Sequence, residues 1–356
     1  MNNNISILQK NAIALLQQLI ATPSFSKEEE KTAALIENFL LSKNIPAKKY
    51  LNNVWAVNQY FDEGKPTILL NSHHDTVKPN SQYGRDPFMP AIEDEKLFGL
   101  GSNDAGGCLV SLLASFCYFY ERKDLKYNLL FAASAEEEIS GANGIESLLK
   151  QLGKIDCAIV GEPTQMQMAV AERGLMVLDC IASGKAGHAA RNEGENAIYK
   201  ALKDIEWFKN FQFSKVSSLL GPVKMNVTVI ETENKAHNVV PAHCKFVADI
   251  RVNELYSFEE ILDIISNNIA STATPRSCRL RSTSIALDHP LIKAGLQLNR
   301  TYYGSPTTSD KALMFFPALK MGPGDSARSH SANEYIYIHE INEGIDLYVK
   351  LLEQIL

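Results

Sequence analysis

Thr67-Ile68-Leu69-Leu70-Asn71-Ser72-His73-His74-Asp75 is an apolar run of strand length that ends in two imidazoles and a carboxylate. The pattern recurs along the chain. Asn128-Leu129-Leu130-Phe131-Ala132-Ala133 leads into Glu136-Glu137-Glu138, and Cys157-Ala158-Ile159-Val160 leads into Gly161-Glu162-Pro163. Ala318-Leu319-Lys320-Met321 leads into Gly322-Pro323-Gly324 and then His330. The segments between these runs are long enough for helices, notably Cys108 to Tyr120. Continuous apolar strands spaced by helices predict an α/β fold with a mostly parallel sheet covered on both faces. In such open sheets the carboxyl ends of the strands form the ligand crevice.

Outward from these strands, Asn11 to Ile20 reads as an amphipathic helix ending before Pro23. Ser26, with Glu29 three residues on, reads as the N-cap of a helix reaching about Leu41. Near Arg173 the texture changes. Leu175–Ser183 and His243–Arg251 read as extended, and Met225, Val227 and Val229 alternate with polar residues, as in strands with one wet face. Helices are expected at Asn196–Phe208 and Phe258–Ile269. The order is strand, helix, strand, strand, helix, strand, a ferredoxin-like βαββαβ unit. After about Ala286 the α/β texture returns, with helices near Leu291–Leu298 and from Ile341. The expected organisation is one α/β domain, residues 1–172 and 285–356, interrupted by a smaller α+β domain over 173–284.

Composition narrows the class. The chain has 356 residues, 45% hydrophobic and 21% charged, which suits a globular protein of more than one domain. A net charge of −6 argues against a nucleic-acid partner. No apolar run reaches the ~18–20 residues that span a bilayer, and the polar start Met1-Asn2-Asn3-Asn4 does not read as a secretory signal. The six cysteines are far apart and form no CxxC pair, so they read as free thiols in a reducing, cytoplasmic setting.

The acids and histidines then matter jointly. Asp104, after Gly99-Leu100-Gly101, can simply cap a helix starting near Ala105. Glu136 to Glu138 can be a solvated charge run, and His330 a surface histidine. Together, at the ends of strands, they make a zinc-like set of imidazoles and carboxylates in which one shared carboxylate can hold two ions. His73 and His74 point to opposite sides of an extended chain, so one of them is expected in the site. Asp75 can reach the side of His73 and orient its ring. His188 lies in the small-residue loop Gly184-Lys185-Ala186-Gly187-His188-Ala189-Ala190, which suits a donor aimed at a ligand. His237, His243, His289 and His339 default to structural or surface roles. A dinucleotide site is disfavoured because Asp104 stands where GxGxxG needs its third glycine, and no GxSxG marks a serine hydrolase.

At these residues the chain resembles the dinuclear-zinc amidohydrolases, the family of acetylornithine deacetylase, succinyl-diaminopimelate desuccinylase, aminoacylase and glutamate carboxypeptidase. The resemblance covers essentially the whole chain. It runs through Ser72-His73-His74-Asp75, Gly99 to Asp104 with Gly106-Gly107, Glu136 to Ser140, and Gly161-Glu162-Pro163-Thr164. It continues through Gly184 to His188 with Asn196-Ala197, Asn238-Val239-Val240-Pro241 with Asp249-Ile250-Arg251, and His330 to Glu334.

The resemblance implies two zinc ions per chain, with cobalt able to substitute. His73, Asp104 and Glu162 would hold one; Asp104, Glu138 and His330 the other. Glu137 would be the general base, a choice that strand alternation leaves open between Glu137 and Glu138. Asp75 would orient His73. His188, from the other subunit of a homodimer formed through the inserted domain, would help hold the oxyanion. Arg251 and Asn238 would contact a small N-acyl amino acid, Arg251 through its α-carboxylate. The implied reaction is hydrolysis of N-acetyl- or N-succinyl-ornithine or citrulline, as in arginine biosynthesis. The alternatives are desuccinylation of N-succinyl-diaminopimelate, in lysine biosynthesis, an aminoacylase or dipeptidase, and, from another class, a metal-free binding protein.

Several positions depart from the family pattern. Ser72 stands where glycine is common and Glu136 where aspartate is common. No proline follows His188, and Ala189 to Gly194 is one residue short. The metal set is untouched by these departures; the placement of the His188 loop is not.

Overall fold

The computed structural model describes residues 4–191 and 193–356, so Asn192 of the shortened loop and the first three residues of the polar start lie outside the described residues. The chain forms two compact units. One runs to Val170 and resumes over Ile285–Tyr303 and Ser309–Leu356; the other comprises Ala171–Ser284 and Gly304–Thr308.

The first unit is built on a mixed sheet whose centre is parallel. Asn53–Val57, Asn128–Ser134, Thr67–His73, Cys157–Val160, Ala318–Lys320 and Met168–Glu172 lie side by side in that order. Thr67–His73 pairs in parallel with Asn128–Ser134 from Thr67↔Asn128 to His73↔Ser134, and with Cys157–Val160 on its other edge. Ala318–Lys320 is parallel to Ala158–Val160. The register therefore brings the ends of four strands to one edge of the sheet. Every residue of Thr67–His73 and of Asn128–Ser134 is buried, as a strand covered on both faces requires. The outer strands Asn53–Val57 and Met168–Glu172 run antiparallel to their neighbours.

Helix Gly107–Phe119 packs on strand Thr67–His73 and against helices Ile5–Ile20 and Ile338–Glu353. Of its thirteen residues only Tyr118 is not buried. Each fully buried leucine or phenylalanine there contributes about 1.5–3 kcal/mol by leaving water. The first helix begins at Ile5, earlier than Asn11, because Leu8 continues its buried stripe and the Asn4 side chain accepts the Ser6 N–H. Ser26 is not a helix cap. The second helix is Glu30–Ser42, entered without a side-chain cap, and the Ser26 hydroxyl instead donates to Asp75 Oδ2 at 2.6 Å. A small antiparallel sheet of Ala91–Glu93, Lys96–Phe98 and Tyr335–Tyr337 escaped the sequence reading. Its strands are three residues long, too short to display a period.

The second unit has a four-stranded antiparallel sheet in the order Lys224–Glu231, His243–Val252, Gly174–Ser183, Thr272–Pro275. Helices Ala197–Asn210 and Phe258–Ser266 bury Ala197, Ala201, Phe208, Phe258, Ile261 and Ile265 against the sheet residues Met176, Leu178, Phe246, Ala248 and Ile250. This is the βαββαβ order read from the alternation.

Candidate active site

Four strand-end segments of the first unit deliver the chemistry. His73 closes strand Thr67–His73, and its Nδ1 lies 3.1 Å from the Asp75 carbonyl and 3.5 Å from Asp75 Oδ1. Its Nε2 faces Asp104 Oδ1 at 3.4 Å, and Glu137 Oε2 and Glu162 Oε1 at 3.9 Å each. His330 Nε2 lies 2.9 Å from Glu138 Oε2 and 3.7 Å from Asp104 Oδ2. The two oxygens of Asp104 thus face one histidine each. Donor atoms of His73, Asp104 and Glu138 fall within 4.8 Å of one another, as do those of His73, Glu137 and Glu162.

These residues fit a pair of metal ions on the chemistry of the donors. His73 Nε2 is buried and has no hydrogen-bond partner, although carboxylates surround it. Two donors of one tetrahedral site at ~2.0 Å from an ion lie roughly 3.3 Å apart, close to the spacings between His73 and its carboxylates. Imidazoles with carboxylates and no thiolate suit zinc and other divalent ions of that kind.

The surroundings hold this set in place. Asp75 accepts the backbone N–H of Glu137 at 3.0 Å and of Glu138 at 3.1 Å, besides the Ser26 hydroxyl. One carboxylate therefore ties the His73 strand end to the turn that carries both acids. The sequence also hid Glu29, fully buried, which accepts from Lys27 N, Asn52 Nδ2 and Glu136 N. Asp310 is a second such residue, buried and accepting from Asn71 Nδ2 at 2.9 Å and Ser134 Oγ at 2.5 Å. Burial pushes the Asp310 carboxyl up to about 6. Asp310 follows no apolar strand, and Glu29 stands in the charge run Glu28-Glu29-Glu30 that reads as a solvated face, so only the fold reveals them.

The site separates residues that are neighbours in sequence. His74 turns away; its ring contacts Thr32 Oγ1 and the Asn52 carbonyl at 2.9 Å each, and burial pushes its pKa down to about 4. Glu136 is buried with its carboxylate on Asn143 N and Nδ2. Asp104 does not cap the following helix, which begins on Gly106 with no side-chain cap. Burial raises the Glu137 carboxyl well above its usual range; His73 opposes this and Glu162 and Asp310 add to it. Burial pushes Glu162 up to about 8. The hydrogen bond to Glu138 raises His330 to about 9.

The other named residues lie on the second unit. His188 pairs with Val239 across the two-stranded ribbon Gly187–His188 and Val239–Val240, and Ala189 N donates to the Asn238 carbonyl at 3.0 Å. His188 Nδ1 accepts the Ala190 N–H, which leaves Nε2 as the N–H donor of the neutral, exposed ring. Arg251 is held by Asp249 through Nε–H···Oδ1 at 2.8 Å and Nη2–H···Oδ2 at 3.0 Å.

An α/β sheet with a buried histidine–carboxylate cluster at its strand ends defines a metallohydrolase class. Comparison with known proteins gives the family. Residues 69–354 match the profile of peptidase family M20/M25/M40, and the chain belongs to that family of metal-dependent hydrolases. The succinyl-diaminopimelate desuccinylase of Orientia tsutsugamushi (strain Ikeda) is 26% identical over 375 aligned residues, covering 97% of this chain and 96% of the relative. Among solved structures, aminopeptidase PepT from Bacillus cereus superposes with a TM-score of 0.77 at 18% identity over 98% of both chains. The YXEP protein of Bacillus subtilis, described as a dinuclear metal-binding peptidase of the M20 family, superposes with a TM-score of 0.72 at 15% identity over 98% of both. The relatives from Orientia tsutsugamushi and Beijerinckia indica carry desuccinylase names, where the resemblance had pointed first to acetylornithine deacetylase.

Proposed function

We propose that this metallohydrolase cleaves the amide bond of an N-succinyl amino acid, with N-succinyl-diaminopimelate as the leading substrate. The reading is carried by the match along nearly the whole chain to relatives named for that reaction. It replaces the N-acetyl-ornithine and N-acetyl-citrulline preference and keeps the reaction type. N-succinyl-ornithine shares the acyl group and is the nearest rival.

His73, Asp104 and Glu162 would hold one divalent ion and Asp104, Glu138 and His330 a second, with zinc the expected metal and cobalt a substitute. Ions bound there would supply Lewis acidity toward the amide carbonyl and make a water acidic near neutral pH. Glu137 takes the proton of the attacking water and passes it to the leaving amine. Burial and the neighbouring Glu162 and Asp310 raise its pKa, which strengthens it as a proton acceptor. Glu138 is engaged by His330, which favours Glu137 for the proton. Asp75 holds the His73 ring and both backbone N–H groups of the acidic turn, limiting how far the base can drift from the ligands. His188 Nε2–H, supplied by the other subunit of the dimer, would donate to the oxyanion as charge develops. Arg251 takes the substrate α-carboxylate, in exchange for or alongside Asp249.

The inserted unit, 173–284, is the dimerisation element in this reading. Its strand Lys224–Glu231 is an edge of the sheet and carries Val229 and Ile230 about half exposed. Among the described residues no helix is long and apolar enough to cross a membrane; the free thiols Cys108, Cys117, Cys157, Cys180, Cys244 and Cys278 support a reducing, cytoplasmic setting.

The test is a kcat/KM comparison of the zinc-loaded protein on N-succinyl-diaminopimelate, N-succinyl-ornithine, N-acetyl-ornithine and N-acetyl-citrulline. The succinyl compounds are expected to lead by tenfold or more, N-succinyl-diaminopimelate first. An N-acetyl substrate ahead of both would overturn the proposal.

A further inference from the structure

The loop that carries Asp104 closes wide turns through the Gly106 N–H to the Gly101 carbonyl and the Gly107 N–H to the Ser102 carbonyl, but these leave the N–H groups of Gly101, Asn103 and Asp104 to other partners. Ser102–Gly106 is wound irregularly, with Asp104 at φ −116°, ψ 97° and Ala105 at φ −119°, ψ 31°. Gly101 before it sits at φ +73°, and a Cβ there would meet Thr76 Cγ2 at 2.5 Å. Local preference therefore does not explain where Asp104 points. The loop's backbone donors converge instead on one side chain. Glu334 Oε1 accepts the N–H of Asn103 and of Asp104 at 2.8 Å each, and Oε2 accepts that of Gly101 at 3.0 Å. The Glu334 carbonyl accepts Gly99 N at 3.0 Å. Glu334 is 2% exposed and lies four residues beyond His330. A second tie joins the same two segments: Asn103 Oδ1 accepts Asp325 N and Asn103 Nδ2 donates to the Asp325 carbonyl, both at 3.0 Å.

Three backbone N–H groups aimed at the two oxygens of one buried carboxyl group make a clamp. Burial and the neighbouring Asp104 push that carboxyl up to about 8, and the three N–H donors pull the other way. The clamp acts at the amide nitrogen of Asp104 itself, three bonds from its carboxyl carbon. We propose that Glu334 is a positioning residue that fixes the 99–104 loop so that the two oxygens of Asp104 face His73 and His330 at once. Because Glu334 and His330 share one segment, the same clamp sets the spacing between the shared carboxylate and the second histidine. The inference rests on the metal-site reading of Asp104 given above.

The experiment is metal titration of the chelator-stripped full chain. Zinc binding is followed by calorimetry against a competing chelator, and cobalt binding by its visible absorption. Glu334→Gln keeps the shape and turns one acceptor into a donor facing backbone N–H groups. Folded by circular dichroism, it is expected to bind zinc 10–100-fold more weakly than wild type. Its cobalt spectrum should change, and kcat should fall with KM little altered. If Glu334→Gln fails to fold, Glu334→Asp, which keeps the carboxyl group but sits one methylene back, is titrated in its place and should show a weakened affinity. A folded variant that binds two ions within threefold of wild type, with an unchanged cobalt spectrum, overturns the inference alone. A wild-type protein that binds no ion overturns the metal-site reading and this inference with it.

Discussion

Glu137 and Glu138 are adjacent and chemically identical, yet they meet different partners. Glu138 Oε2 lies on His330 at 2.9 Å, while Glu137 Oε2 lies 3.9 Å from His73 Nε2. Glu137→Gln is therefore expected to keep its metal content while kcat falls by roughly 10²–10⁴-fold, the usual share of a general base. Metal analysis with steady-state kinetics checks this, and near-normal turnover would rule Glu137 out as the base. Asp75 acts through others. Asp75→Asn turns one acceptor oxygen into a donor beside His73 and the Glu137 and Glu138 N–H groups. It should weaken zinc binding by about 10–100-fold, readable by competition with a chromogenic chelator; unchanged affinity would leave Asp75 a structural residue only. The strand-end histidine and acids were legible because they follow apolar runs. Asp310 and the clamp of Glu334 were not, since a lone acid carries no period, and Glu29 was hidden in the charge run Glu28-Glu29-Glu30; the donors of all three come from distant segments.

At the scale of elements, long periodic segments were read well and short or locally overridden ones were not. Helix Phe258–Ser266 carries a full capping box, Ser257 with Glu260, and its apolar face is plain in sequence. Ser257→Ala should cost about 1 kcal/mol of stability, measured as a lower urea midpoint at constant slope; no shift would mean the cap is replaced by solvent. Ser26 shows the converse. It looks like a cap, but the helix starts at Glu30, three residues later than a Ser26 cap would need, so its oxygen has no helical N–H to accept and its hydroxyl donates to the buried Asp75. The three-residue strands around Leu97 and Ile336 show only one buried residue each, too little for any pattern.

At the scale of the whole molecule, bound ions couple the site to folding and to pH. A ligand bound only by the native state at a hundred times its Kd adds about 2.7 kcal/mol, so stripping with a chelator should lower Tm by several degrees and re-adding zinc should restore it. An unmoved Tm would argue against a site that forms only in the fold. Without metal, His330 keeps its proton up to about pH 9 through Glu138, and Glu162 keeps its own to about 8 through burial. Ligation needs both deprotonated, so loading at pH 7 should release protons and affinity should rise with pH. Calorimetry in buffers of different ionisation enthalpy measures this; proton uptake on loading would contradict it.

The sequence by itself determined the elements, the parallel arrangement of the central strands and which strand ends carry acids and imidazoles. Those depend on burial along each segment, which local apolar patterning records. It also determined family membership, since the matching motifs keep their order. Strand alternation left open which of two adjacent histidines faces the site and which of two adjacent glutamates meets His330; the resemblance assigned both, and the tertiary contacts supply them. Only the tertiary structure decided what holds Asp104 between His73 and His330. Each of these is set by hydrogen bonds between segments up to 233 residues apart, closed by burial that no single segment encodes.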